Sequence, residues 1–193
     1  MIDGMPREYL RLRRRTFFAP LWGFAMVVAL GLAALAVHGL YVHRSPTTLV
    51  IVMRHAEKQL DAGADPGLTA EGLDRARMLA SQFQGPGHVG GIDAVFVTQW
   101  RRSAATAAPL VAASHVPLER VQDDDVGGLV RRIEGDYAGH RVLVIAHSDT
   151  VPQIVKALSG SDVPAIGASE YGTTYVIAKP RFGRANVLRM TLP

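Results

Sequence analysis

The sequence contains no cysteine, which excludes disulfides, thiolate metal sites and a cysteine nucleophile. It also lacks the basic face with aromatic or helical reading elements that marks a nucleic-acid-binding domain. The net charge of +4 does not supply one, because residues 1–44 hold six of the 21 basic residues and only two of the 17 acidic ones. The remaining chain is neutral overall, so we expect no nucleic-acid partner.

Charge is absent from residues 17–37, which are apolar apart from glycine and one proline. A helix rising ~1.5 Å per residue would cross a bilayer core of ~30 Å over this length. An arginine cluster precedes the segment at residues 11–15, whereas only His38, His43 and Arg44 follow it. The positive-inside bias therefore predicts a basic cytoplasmic N-terminus (1–16), a transmembrane signal anchor (17–40), a linker (41–46) and a periplasmic or extracellular domain (47–193).

Two alternatives compete with this bilayer-spanning anchor. Residues 34–36, Ala-Leu-Ala, have the small-x-small form of a signal-peptide cleavage site. The apolar run is longer than the ~7–15 residues of a signal-peptide core, which favours an uncleaved anchor. A buried helix in a soluble protein is disfavoured, since a helix that is apolar all round needs a much larger protein to cover it.

Three short apolar runs, typical of strands that are covered on both faces, each lead into basic side chains. The runs are residues 49–53, 94–98 and 141–146, and the side chains after them are Arg54 with His55, Arg101 with Arg102, and His147. Ligands of open α/β sheets bind just beyond the carboxyl ends of the strands. We therefore expect Arg54, His55, Arg102 and His147 to meet at one site.

Helical patterns alternate with these strands. A helix is predicted to start at Thr69, a good N-cap with Glu71 in the first turn, and to stop at Gly85-Pro86-Gly87. Further elements are predicted as helices at 100–114, 126–137 and 151–158, a short strand at 116–121, and a closing hairpin of strands at 173–178 and 186–192. This order predicts an α/β three-layer sandwich with a mostly parallel central sheet and helices on both faces.

Four ordered motifs resemble those of the histidine phosphatase superfamily, which has the phosphoglycerate mutase-like fold, across residues 47–193. Arg54-His55-Ala56-Glu57 is similar to its Arg-His-Gly signature, with alanine in place of glycine. Residues 68–72, Leu-Thr-Ala-Glu-Gly, resemble its Leu-Thr-x-Glu-Gly helix start. Residues 98–107 resemble Ser-x-Leu-x-Arg-Ala-x-x-Thr-Ala, which assigns the second catalytic arginine to Arg102, and residues 144–148 resemble the strand that carries the second histidine.

The resemblance implies a phosphatase that acts on a phosphomonoester or related phosphorylated group without a metal or other cofactor. His55 would attack phosphorus to give a phosphohistidine that water later hydrolyses. Arg54 and Arg102 would clamp the phosphate as bidentate cations, and His147 would donate to its non-bridging oxygens. The expected substrate is a phosphorylated small molecule or an envelope component.

The general acid stays open at this stage. One branch of the superfamily has an aspartate directly after the second histidine, whereas here Ser148 intervenes before Asp149. The other branch has a glutamate after the second-arginine helix, where this chain offers Glu119 and the run 123–125. Glu57, beside His55, is a third candidate. Two other functions remain as alternatives: a membrane-tethered phosphate-binding or interaction module without turnover, and, less expected, a mutase-type phosphotransferase.

Overall fold

A computed structural model describes residues 19–43, 46–60, 63–83 and 91–192. The chain divides into two compact units, Met1–Arg44 and Ser45–Pro193. In the first unit, helix α1 (Ala19–His43) contains a segment, Leu21–Tyr41, that is long and apolar enough to cross a membrane, a test that a signal sequence would also meet. The predicted basic segment 1–16 lies outside the described residues, and α1 continues to His43, into the segment predicted as linker.

The second unit contains six strands and four helices among its described residues. In chain order they are β1 (Thr47–Arg54), α2 (Ala70–Gln82), β2 (Ala94–Thr98), α3 (Arg101–Ser114), β3 (Leu118–Val121), α4 (Val126–Asp136), β4 (Arg141–Ala146), α5 (Thr150–Ser159), β5 (Thr173–Pro180) and β6 (Asn186–Thr191). Every element predicted in this unit is present, with bounds within about two residues of the prediction. The predicted stop of the first of these helices, at 85–87, lies outside the described residues.

The strands form one sheet in the order β3-β2-β4-β1-β5-β6. The first four are mutually parallel, while β5 runs antiparallel to β1 and pairs with β6 as a hairpin. Gly183, at φ 102°, lies in the turn of that hairpin, where a side chain would be strained. The predicted mostly parallel sandwich is confirmed.

The two faces of the sheet are buried by different helices, because alternate side chains of each strand point in opposite directions. Even-numbered strand residues such as Val50, Phe96 and Val144 pack on α4 and α5. Odd-numbered ones such as Ile51 and Ile145 pack on α2 and α3. The two apolar layers explain why the central strands are continuous apolar runs, and they fix the register that sets the strand ends side by side.

The start of α2 is fastened to the loop that follows β1. The Thr69 side chain accepts a hydrogen bond from Gly72 N at 3.1 Å, which confirms the predicted N-cap. Thr69 N donates to Glu57 O at 2.9 Å. A Cβ at Gly72 would overlap the Glu57 carbonyl oxygen, so only glycine lets the helix approach this closely. The residues just after His55 are therefore held by a helix end.

Candidate active site

The two predicted histidines lie side by side at the carboxyl edge of the sheet. The parallel register of β1 and β4 pairs Arg54 with Ala146, so the residues that follow, His55 and His147, are also neighbours. His55 N donates to Ala146 O at 3.0 Å, and the two imidazole centroids are 5.2 Å apart. Both residues are buried, with 3% and 7% of their surface exposed.

Backbone contacts fix the tautomer of His55. Its Nδ1 lies 2.7 Å from Ala56 O, and because a carbonyl oxygen can only accept, Nδ1 carries the proton. The Ala56 peptide is held in turn by Thr106, whose Oγ1 accepts from Ala56 N at 3.0 Å. Nε2 of the neutral ring therefore keeps its lone pair, and it faces the guanidinium of Arg102 at 3.2 Å from Nε. This is the geometry of an oriented nitrogen nucleophile.

His147 is oriented by Thr98, at the end of β2. The Thr98 hydroxyl donates to Ser103 Oγ at 2.8 Å and lies 2.9 Å from His147 Nε2. Because the only proton of that hydroxyl is used on Ser103, Nε2–H is the donor in the contact with Thr98. Nδ1 is left facing the site, 3.5 Å from Arg102 Nη2.

Arg102 links the two histidines. Its guanidinium reaches both rings, lies 5.0 Å from the ring of Trp100, and has Asp65 3.8 Å from Nη1. Arg101, by contrast, is exposed, and its described contact is the backbone hydrogen bond from its N–H to Asp65 at 3.0 Å. Of these two arginines, Arg102 is the one whose guanidinium lies against both histidine rings.

Arg54 is held by the loop between α5 and β5. Its Nη1 lies within hydrogen-bond distance of the carbonyl oxygens of Gly167, Ala168 and Glu170, at 2.9, 2.8 and 3.2 Å. The guanidinium stacks 4.1 Å from the centre of the Tyr171 ring. Its Nε is buried with no hydrogen-bond partner in the part of the chain that the structure describes. An oxyanion that accepted from Nε would satisfy this group.

Burial and neighbouring cations keep both histidines neutral near pH 7. Burial is the largest cause that lowers the pKa of His55 from 6.5 to about 3; the charges of His147, Arg102 and Arg54 act in the same direction, and the hydrogen bond to Ala56 opposes them. Burial, followed by the charge of Arg102, lowers the pKa of His147 to about 4. The neutral ring is the form of His55 that can attack phosphorus.

These depressed pKa values predict a pH dependence of stability. In the unfolded chain a histidine titrates near 6.5, so the folded state should be fully stable above that pH and lose stability as the pH falls from 6.5 toward 4. Each such histidine contributes a slope of about 1.4 kcal/mol per pH unit in that window. Denaturant unfolding of the ligand-free protein across this range should therefore give a shallower slope for His147→Gln than for the wild type. Equal slopes in His147→Gln and the wild type would contradict this account.

The candidate acids next to the histidines are engaged in other contacts. Glu57 receives hydrogen bonds from Arg75 Nε at 2.8 and 3.0 Å. Burial raises its pKa, but the hydrogen bonds and charge of Arg75 outweigh this and leave the pKa below its usual value. Asp149 caps α5, with Oδ1 accepting from Thr150 N at 3.0 Å. Its negative charge offsets part of the lowering of the His147 pKa.

Three of the later carboxylates are also partnered. Asp123 accepts from Gln99 and Trp100 at 2.8 and 2.6 Å, and these hydrogen bonds lower its pKa. Asp125 caps α4 through Gly128 N at 2.8 Å, and Glu119 pairs with Arg132 and Tyr137. Ionised, hydrogen-bonded carboxylates are poor proton donors at neutral pH.

The structure thus brings together Arg54, His55, Arg102 and His147, the four residues predicted from the motifs. It adds three that the sequence did not single out: Thr98, which orients His147, Tyr171, which stacks on Arg54, and Asp65 beside Arg102. Thr98 lies within a recognised motif, so a polar residue ending a buried strand was an available signal. Tyr171 lies in a loop whose sequence has neither a helix or strand periodicity nor a recognisable motif. Among the described residues, no group of three or more His, Asp or Glu side chains is arranged to hold a metal ion.

This domain has the phosphoglycerate mutase-like fold of the histidine phosphatases, as the motifs predicted. The structure of the protein histidine phosphatase SixA with tungstate superposes with a TM-score of 0.62 at 23% identity, over 74% of this chain and 96% of that one. A mycobacterial glucosyl-3-phosphoglycerate phosphatase gives 0.58 at 11% identity, over 76% and 100%. The alpha-ribazole phosphatase of Shigella flexneri gives 0.53 at 15% identity, over 69% and 94%. No protein-family model matches the sequence, and no curated protein matches it.

Proposed function

We propose that the protein is a phosphatase that hydrolyses a phosphorylated group through a phosphohistidine on His55. The observation that carries the proposal is the position of Arg102, whose guanidinium contacts both His55 Nε2 and His147 Nδ1. Two guanidiniums and two oriented imidazoles at one buried edge match the charge and in-line geometry of phosphoryl transfer. The three similar structures named above are all called phosphatases, which supports the same activity.

In the first step, the Nε2 lone pair of His55 attacks phosphorus, and the bond to the leaving group breaks with its electron pair going to that group. Arg102 and Arg54 would balance the charge of the phosphoryl oxygens, and Arg54 Nε is a donor without a hydrogen-bond partner among the described residues. In the second step, water attacks phosphorus, the N–P bond breaks, and inorganic phosphate and neutral His55 are released. His147 can donate from Nδ1 once a bound dianion favours its protonation.

We infer that the substrate carries a leaving group that needs little protonation. The carboxylates near the site are paired with a cation, as Glu57 is with Arg75, used as a helix cap, as Asp149 is on α5, or hydrogen-bonded to neutral donors, as Asp123 is to Gln99 and Trp100. Aryl phosphates, acyl phosphates and phosphoramidates have weakly basic or readily protonated leaving groups. Phosphohistidine in a protein, the substrate class indicated by the name of the first similar structure, is a phosphoramidate.

The corresponding prediction concerns rates of phosphate release by the full-length protein. Alkyl phosphates such as simple sugar phosphates should react about 10²–10⁴-fold more slowly than aryl phosphates, because general acid catalysis is typically worth that much. With the aryl substrate, Asp149→Asn and Glu57→Gln should retain most of the wild-type rate, provided that each variant folds. A flat dependence on leaving-group pKa in the wild type would contradict the inference, and the substitution that made it steep would identify the acid. Phosphate binding without release from any of these compounds would instead indicate the non-catalytic module.

We also propose that the apolar helix is an uncleaved anchor with the catalytic domain on the periplasmic or extracellular side. The support is the arginine cluster before residue 17, against few cations after residue 37. The substrate would then be a phosphorylated small molecule or envelope component on that side of the membrane.

This orientation predicts the behaviour of reporters fused after Pro193. A reporter active only outside the cytoplasm should give signal, and the protein should stay with the membrane fraction in the absence of detergent. Replacing Arg13, Arg14 and Arg15 with glutamate should lower the signal of the exported reporter, because it removes most of the positive-inside bias. Signal from a cytoplasm-specific reporter on the unaltered chain would reverse the assignment, and a soluble domain would indicate a cleaved signal sequence.

A further inference from the structure

The backbone of Ala56 decides which nitrogen of His55 can react. Its carbonyl oxygen accepts from Nδ1 at 2.7 Å, and the hydrogen bond made by one ring nitrogen sets the state of the other. If residue 56 turned, the proton could move to Nε2, and the ring would have no lone pair facing the guanidinium of Arg102. The orientation of residue 56 is therefore part of the chemistry of the site.

A buried hydroxyl group in α3 holds the N–H of residue 56. Ala56 N donates to Oγ1 of Thr106 at 3.0 Å, and the same hydroxyl donates to Arg102 O at 2.8 Å, one turn earlier in the helix. A backbone N–H can only donate and a carbonyl oxygen can only accept, so the directions of both hydrogen bonds are fixed. Only 1% of the surface of Thr106 is exposed, which shields both bonds from water.

Packing holds the side chain of residue 56 in place as well. The methyl group of Ala56 belongs to a small apolar cluster with Leu68 and Ala76, against which Ala105 packs. Apolar contacts are not directional, so they place the residue without choosing the orientation of its peptide groups. The hydrogen bond to Thr106 adds the direction that packing lacks.

We propose that Thr106 is a positioning residue for His55. By holding Ala56, its hydroxyl keeps the proton on Nδ1 and leaves the Nε2 lone pair directed at the phosphate site beside Arg102. The hydroxyl lies between two backbone groups and touches no reacting atom. The effect on turnover rests on the proposed function, whereas the effect on the tautomer of His55 does not.

The substitution Thr106→Val removes the hydroxyl with little change of shape. It leaves the buried N–H of Ala56 without a partner, an arrangement that proteins avoid. Residue 56 is then expected to turn toward another acceptor and to release the Nδ1 proton of His55. Thr106→Ser restores the hydroxyl. The matched control is Ser114→Ala in the last turn of α3, because the Ser114 hydroxyl makes the same bond to a carbonyl four residues earlier, that of Leu110, at 2.6 Å.

The first measurement is the tautomer of His55 in the full-length protein without substrate. 15N NMR of labelled histidine distinguishes a protonated ring nitrogen from one with a free lone pair, and loss of signals in His55→Gln assigns them. At pH 7, where both site histidines are neutral, the wild type, Thr106→Ser and Ser114→Ala should carry the proton on Nδ1 alone. Thr106→Val should show a substantial share of the tautomer with the proton on Nε2.

A second measurement needs no variant. Ala56 lies in the loop that follows β1, yet its N–H donates to a buried hydroxyl. Its amide hydrogen should therefore exchange with solvent as slowly as those inside β1. Fast exchange at Ala56 would overturn the inference even if Thr106→Val did not fold.

Turnover of an aryl phosphate shows whether the orientation matters for the reaction. Thr106→Val should lower kcat by about 10²-fold, the loss typical of a misplaced reacting group, with little change in KM. Thr106→Ser should recover most of the rate, and Ser114→Ala should match the wild type.

The outcomes separate this inference from the proposed function. A folded Thr106→Val protein that keeps the proton on Nδ1 of His55 would overturn the inference, whatever its activity. A shifted tautomer with an unchanged kcat would overturn the positioning role. A wild type without turnover would overturn the proposed function, and the comparison of tautomers would still decide whether Thr106 sets the state of the ring.

Discussion

Replacing His55 with alanine should lower phosphate release from an aryl phosphate by about 10⁴-fold or more. The substitution removes Nε2, the ring nitrogen that stays unprotonated because Nδ1 donates to the Ala56 carbonyl, and with it the covalent path. The wild type, quenched during turnover of labelled substrate, should contain a phosphoenzyme that is stable in base and labile in acid. The variant should contain none.

The matched control is His140→Ala. His140 is an exposed histidine directly before β4, at the opposite end of the strand that delivers His147. It should keep wild-type activity and the acid-labile label. Circular dichroism and thermal unfolding of both variants separate loss of chemistry from loss of fold. A His55→Ala protein that still turns over, or a label on another residue, would remove this mechanism.

Replacing Arg102 with alanine should lower kcat by about 10²–10³-fold, the usual loss when one preorganised donor to a transition state is deleted. Its guanidinium is the group shared by the two imidazoles, and in the transition state it would hold the oxygens that accumulate charge. Arg102→Lys should recover only part of the activity, because an ammonium group cannot donate in the planar bidentate manner of a guanidinium.

Arg101→Ala is the matched control, since it deletes the same side chain one residue earlier. Arg101 is exposed, and its described hydrogen bond is made by the backbone, which alanine retains. Activity close to that of the wild type is expected. The opposite result, a large loss in Arg101→Ala with Arg102→Ala nearly unaffected, would shift the assignment within the motif by one residue.

The fold was predictable because its elements depend on local pattern. Apolar, β-branched runs such as residues 49–53 identify buried strands, and Thr69 with Glu71 identifies the start of α2. Gly72 shows the limit of such arguments. Its place in a motif was visible in the sequence, but the reason for it, the approach of the helix to the Glu57 carbonyl, depends on a contact across fifteen residues.

The sequence named four residues of the candidate site, but it did not predict the contacts that they make. Arg54, His55, Arg102 and His147 each follow an apolar strand, and parallel strands necessarily end at one edge of a sheet. Glu57 was a candidate acid because it is near His55 in sequence. The fold places Arg75 against it, eighteen residues further along, and makes it an ion-pair partner.

By itself, the sequence determined which residues end the buried strands, where the helices begin, and that an uncharged segment precedes the domain. These properties depend on side-chain periodicity and backbone preference over a few neighbouring residues. Only the tertiary structure decided which nitrogen of each histidine faces the site, how Thr98 orients His147, and that a loop more than 110 residues away holds Arg54. Such contacts depend on strand register and on loops that close over the sheet, and no local preference encodes them.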